Sequence, residues 1–116
     1  MDEQLIDSGP TIARIWKGRT RRSAADEYEM YNFEVGIRPL QAKALGVQTL
    51  REDRDSETEF TTISYWASLE SMASFTDADP TAVHHLERDT EFLIELPERV
   101  EICQIRTRHG ELGQAT

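Results

Sequence analysis

An alternating run, Thr61-Thr62-Ile63-Ser64-Tyr65-Trp66, breaks almost directly into Ser68-Leu69-Glu70-Ser71-Met72-Ala73-Ser74-Phe75. Alternation sends successive side chains to opposite faces of a strand, so Tyr65 and Trp66 look to opposite sides of a sheet. Ser68 carries the side chain of a helix N-cap, and Leu69, Met72, Ala73 and Phe75 then share one helical face. A strand that ends in two large rings and turns straight into an amphipathic helix demands a sheet with that helix folded back on it. A second tryptophan, Trp16, stands near the end of another strand-like run, Thr11-Ile12-Ala13-Arg14-Ile15-Trp16-Lys17-Gly18. Aromatic groups therefore gather at strand ends, where a pocket can form.

The remaining elements follow from periodicity and punctuation. Residues 1–10 are acidic, end in Ser8-Gly9-Pro10, and are expected to form a flexible leader. The first strand is predicted over 11–17, with Ile12, Arg14 and Trp16 on one face and Ala13, Ile15 and Lys17 on the other. Gly18 is expected to break it, leaving Arg19-Thr20-Arg21-Arg22 as a basic loop. Ser23 is the candidate cap of a helix that carries Ala24, Tyr28, Tyr31 and Val35 as one stripe and Met30, Phe33, Ile37 and Leu40 as a second, with Pro39 closing it. Strands over 47–54 and 59–66 pair as a hairpin through the acidic turn at 52–57. Asp79-Pro80 starts a further helical segment. Phe92, Leu93, Ile94 and Leu96 supply apolar anchors. The last strand, over 99–106, places Val100, Ile102 and Gln104 opposite Glu101, Cys103 and Ile105, and 108–116 reads as a flexible tail.

The order is β-α-β-β-α-β within one domain spanning 11–107. That is the α+β, ferredoxin-like arrangement, with helices on one face of an antiparallel sheet. The other face must hold either Ile12 and Trp16 or Ala13 and Ile15, and either Phe60 and Trp66 or Ile63 and Tyr65. Apolar groups on an uncovered sheet mark an interaction surface. A second copy pairing its sheet with this one would cover them.

Charge and composition exclude several classes. With 22 acidic against 13 basic residues the chain carries a formal charge of −9, which repels nucleic acid and anionic membranes. Cys103 is the single cysteine, so an intrachain disulfide and a CxxC motif are ruled out and a cytoplasmic setting is expected. No apolar run approaches the ~20 residues of a membrane helix.

Ile12-Ala13-Arg14-Ile15-Trp16-x-Gly18, Ile63-Ser64-x-Trp66-x-Ser68-Leu69-Glu70, Phe75, Asp89-x-x-Phe92-Leu93 and the closing strand at Val100 resemble the antibiotic biosynthesis monooxygenase-like group of dimeric α+β barrels. The resemblance covers about residues 11–105. It implies a homodimer built by pairing sheets and a pocket between sheet and helices. Some members oxidise polycyclic aromatic substrates with O₂ and neither metal nor flavin, others bind and degrade haem, and many have no known activity. This chain departs from the group at Lys17, often histidine there, and at Ile102-Cys103, where an aromatic or histidine pair is expected. It also lacks an asparagine on the first strand, and its His84 lies further from Trp66 than in haem-degrading members.

Candidate chemistry is sparse. Trp16, Tyr65 and Trp66 can stack on an aromatic ligand or pack a core or dimer interface. His84 and His85 are adjacent, so on a helix they diverge by ~100° and cannot chelate one ion; no metal site is expected, and no cofactor. His85 lies four residues before Asp89, the spacing at which a carboxylate could orient an imidazole base, while His84 faces Arg88. Arg14, mid-strand on the Trp16 face, must find an acceptor if buried. Arg14 or Lys17 could then stabilise a developing oxyanion. Two readings stay open: cofactor-independent oxidation of a small aromatic substrate with His85 as base, and a non-catalytic small-molecule-binding or structural homodimer. Haem binding stands behind both.

Overall fold

The computed structural model describes residues 9–76, 81–83 and 85–110. Four strands, β1 (Ile12–Arg21), β2 (Gly46–Asp53), β3 (Glu57–Trp66) and β4 (Glu101–Gln104), form one antiparallel sheet in the order β2-β3-β1-β4. Helix α1 (Ala25–Asn32) follows β1 and runs through a π-helical turn, Phe33–Ile37, into α2 (Arg38–Gln41). Helix α3 (Leu69–Thr76) follows β3, and the short α4 (Asp89–Phe92) precedes β4. This is the ferredoxin-like α+β topology that the order of elements implies.

The register decides which residues face the helices. Ile12 pairs with Trp66, Arg14 with Ser64, Trp16 with Thr62, Gly18 with Phe60 and Thr20 with Thr58. On β3 the members of those pairs are all buried and alternate with half-buried neighbours. The helices therefore cover the Trp16 and Trp66 face, and Ala13, Ile15, Ile63 and Tyr65 lie on the outer one. Two clusters fill the covered side. Ala25, Tyr28, Phe60, Phe92 and Leu93 form one, with Trp16 and Tyr31 against it; Ile12, Leu40, Trp66 and Met72 form the other, with Phe75 and Ile102 against it.

Several local expectations are corrected. Gly18 does not end β1: the strand runs three residues beyond it. A Cβ there would come within 2.5 Å of Trp16 Cη2, so glycine is present because the indole lies across it. The expected basic loop is thus the end of a strand, and Arg19 is engaged by Glu57 at 2.8 Å and Glu95 at 3.1 Å. Ser23 caps nothing; it lies in a 3-10 turn, Arg22–Ala24, that leads into α1. Pro39 sits inside the helix rather than at its end. A proline ring collides with the carbonyl four residues back in a regular α-helix, and the wider π turn just before it removes that collision. The extra residue also rotates the chain by ~100°. The two sequence stripes are consequently exchanged half-way: Tyr28 is buried but Val35 is exposed, and Met30 and Phe33 are exposed while Ile37 and Leu40 are buried.

At α3 the cap is as expected, Ser71 N–H donating to Ser68 Oγ at 3.1 Å. Met72 and Phe75 turn inward, whereas Leu69 and Ala73 are exposed, which narrows the apolar face. Strand β4 is shorter than expected and keeps its predicted faces, pairing Ile102 with Arg14 and Cys103 with Ala13. Of the four apolar anchors, Phe92 and Leu93 are buried, Leu96 packs on the cluster, and Ile94 is exposed. The proposed start at Asp79-Pro80 lies outside the described residues.

Candidate functional site: a cavity at the seam of the core

Between the two core clusters the helices leave a cavity of about 310 Å³. Its sheet wall is Arg14, Trp16 and Thr62; its helix wall runs from Asn32 through the π turn to Leu40; Phe75, Val83 and Leu86 complete it. The π turn is thus part of the site, as such turns often are. A Cβ on Gly36 would lie 3.1 Å from Leu86 Cδ1 and 2.9 Å from Asn32 Oδ1, so the bare backbone there lets the helix and the segment before α4 close together.

That segment is held from several sides. Asp89 is buried, and its carboxylate accepts from Leu86 N–H at 2.8 Å and from Tyr28 Oη–H at 3.2 Å. Arg88 N–H donates to Tyr31 Oη at 2.9 Å. Further along, Ala82 bridges to Arg99, and Val100 N–H donates to the Thr81 carbonyl at 3.0 Å. Burial, reinforced by the Asp89 carboxylate, drives the Tyr28 phenol well above its ordinary range, so it acts as a donor.

Arg14 is the unusual group. Its residue is only 7% exposed, it stacks over the Phe75 ring at 5.5 Å, and one Nη donates to the Ala82 carbonyl at 2.8 Å. Nε is buried without an acceptor among the described residues. Burial pushes its guanidinium below the usual value for arginine. Among the described residues no carboxylate pairs with it, whereas Arg19, Arg22, Arg38, Arg51, Arg54 and Arg88 each have at least one.

The cavity brings together only part of the set named from sequence. Arg14 and Trp16 line it. Trp66, 2% exposed, does not; it lies behind Phe75 at 5.5 Å between ring centroids and donates its indole N–H to Ser64 Oγ at 2.9 Å. Lys17 and Tyr65 belong to the outer face, where Tyr65 Oη donates to Gln48 Oε1 at 2.6 Å. His85 is exposed and is not part of the lining, although its neighbour Leu86 is. Residues 85–88 are not helical, and both Asp89 oxygens are committed to Tyr28 and Leu86, so the four-residue spacing to His85 does not become a pair. His84 lies outside the described residues. Asn32, Thr62, Val83 and Leu86 were not singled out from sequence. Asn32 carried the one available signal, an amide in the middle of an otherwise sheet-covering helix.

Element order, register and helix placement make this a ferredoxin-like α+β domain with its cavity on the helix side of the sheet. No family model and no curated protein matches the chain. Its fold is similar to the solved structure of a "putative antibiotic biosynthesis monooxygenase" from Bacillus cereus, with a TM-score of 0.61 over 88% of this chain and 99% of that one, at 10% identity. The likeness is one of fold, and it agrees with the group the sequence resembles. No helix among the described residues is long and apolar enough to cross a membrane.

Proposed function

We propose that the chain is a homodimeric small-molecule protein that takes a flat aromatic ligand into the helix-side cavity and oxidises it with O₂. The carrying observation is a cavity with Trp16 and Phe75 in its walls and a buried cation, Arg14, beside them. Its volume lies at the lower end of the range for ligand pockets, which suits a body of two or three rings. Trp16 offers a ring face, and Arg14 offers positive charge to an anionic oxygen of the ligand in a site where charge is poorly screened. The reaction class comes from the resemblance and the fold neighbour, by analogy. Its balance needs no further reactant: a ring methylene gives up two hydrogens, the O–O bond breaks, one oxygen becomes the carbonyl and the other leaves as water.

The second subunit covers the outer face. Ala13, Ile15, Ile63, Tyr65 and Ile105 border an open concavity of about 620 Å³ there, and apolar groups grouped on an uncovered sheet favour a second copy.

A second reading, binding without turnover, is favoured by one observation: among the described cavity-lining residues none is a histidine, lysine or carboxylate that could remove a proton. Oxygen uptake with a panel of hydroxyanthrones and quinols separates the two. Consumption of one O₂ per ligand supports oxidation. Quenching of tryptophan fluorescence without oxygen uptake supports the binding reading, and neither response to any panel member refutes oxidation of this substrate class.

A further inference from the structure

We infer that the ligand of the helix-side cavity is an aromatic carboxylic acid, bound as its monoanion with the carboxylate against Arg14. This rests on the reading of the cavity as a ligand site and adds the chemical class that site selects. A buried charge without a counter-charge is strongly disfavoured, and desolvated arginines are ordinarily paired. This chain has acidic groups in excess and places them on six exposed or half-exposed arginines, yet among the described residues none meets the one that is 7% exposed. Arg14 keeps one backbone carbonyl and one ring face, and its Nε lacks an acceptor. The planar edge of a guanidinium matches the two oxygens of a carboxylate.

The rest of the lining sets the valence and the body of the ligand. Apart from Arg14 the polar side chains in the wall are those of Asn32 and Thr62, both neutral. One cation neutralises one negative charge, so a dianionic phosphate is poorly matched. A phenol, ionising near pH 10, enters neutral and must lose its proton to pair with Arg14, whereas a carboxylic acid, ionising near pH 4, arrives charged. The formal charge of −9 opposes entry only weakly, because exposed charges beyond ~8 Å are screened at physiological salt.

The test uses 2-naphthoate, its isosteric amide 2-naphthamide, and 2-naphthol, titrated against the full chain at pH 7 with calorimetric readout. Wild type is expected to bind the carboxylate roughly 10- to 100-fold more tightly than the amide, as a charged hydrogen-bonded pair implies. Arg14→Met is expected to bind the two alike, with the amide little changed, and Arg14→Lys to keep part of the preference. Equal binding of carboxylate and amide by wild type overturns the inference while leaving the ligand site intact. Tightest binding of the naphthol does the same. Binding of none of the three overturns both. If Arg14→Met fails to fold, the ratio measured on wild type still decides.

Discussion

The two faces of the sheet are built from the same strands and have opposite fates. On the helix side β3 contributes Thr58, Phe60, Thr62, Ser64 and Trp66, all buried, and α1, α3 and α4 close over them except at the seam where Arg14 and Trp16 stand. On the outer side the intervening residues Thr61, Ile63 and Tyr65 are half-buried, with Lys17 exposed beside them. One face is covered within the chain and leaves a cavity; the other stays uncovered, carries apolar groups and leaves a concavity. The cation follows the same division. Lys17 and Arg19 on the outer side reach water or carboxylates, while Arg14, three and five residues before them on the same strand, is enclosed.

Substitutions on each face should break that contrast in different ways. The largest effect is expected from Trp66→Ala, which removes a fully packed ring: a loss of about 3–5 kcal/mol of folding stability, read from chemical denaturation. Next comes Ile63→Asp. It should alter monomer stability by less than about 1 kcal/mol yet abolish self-association, since a charge buried unpaired costs about 3–5 kcal/mol. Light scattering should then find 13.3 kDa for the variant and twice that for wild type. A wild-type monomer would end the homodimer proposal and leave the outer face without an occupant.

Gly18→Ala should cost about 1–3 kcal/mol through overpacking, because the new methyl meets Trp16. It should also weaken ligand binding, as the indole must leave its place in the cavity wall. Unchanged affinity would show that Trp16 does not shape the site.

The smallest effect at neutral pH is expected from Tyr28→Phe, about 1 kcal/mol for the bond to Asp89. Its pH dependence is more telling. The folded state holds the Tyr28 phenol protonated above its ordinary range, whereas the unfolded chain ionises near pH 10. This contribution is therefore fully present below about pH 10 and is lost as pH rises further, by up to ~1.4 kcal/mol per unit. The variant should show a flatter alkaline limb in thermal melts taken between pH 9 and 11. An identical limb would mean that Tyr28 ionises without unfolding the core.

Much of this was legible in the chain. Alternation correctly assigned the two sides of β1, β3 and β4, and the serine at 68 correctly marked the start of α3. Errors arose where a residue's role depends on something distant or on local geometry outside the two simple periods. Gly18 has the look of a strand break, but its reason is an indole lying over it. Pro39 has the look of a helix end, but a π turn absorbs it and rotates the stripes that 3.6-residue periodicity had drawn. The spacing from His85 to Asp89 assumed a helix that begins only at Asp89.

The candidate site divides in the same way. The sequence by itself determined that Arg14 and Trp16 share a face and that Tyr65 and Trp66 do not, because strand alternation is a local rule that holds whatever the sheet packs against. Only the tertiary structure decided that the helices lie on the Trp66 side, that Phe75 lies against that tryptophan on its cavity side, and that Arg14 is enclosed with the Ala82 carbonyl, and no carboxylate among the described residues, as its partner. Those outcomes depend on contacts between residues as much as 68 positions apart, where no periodicity reaches and only the packing of the whole chain sets which groups meet.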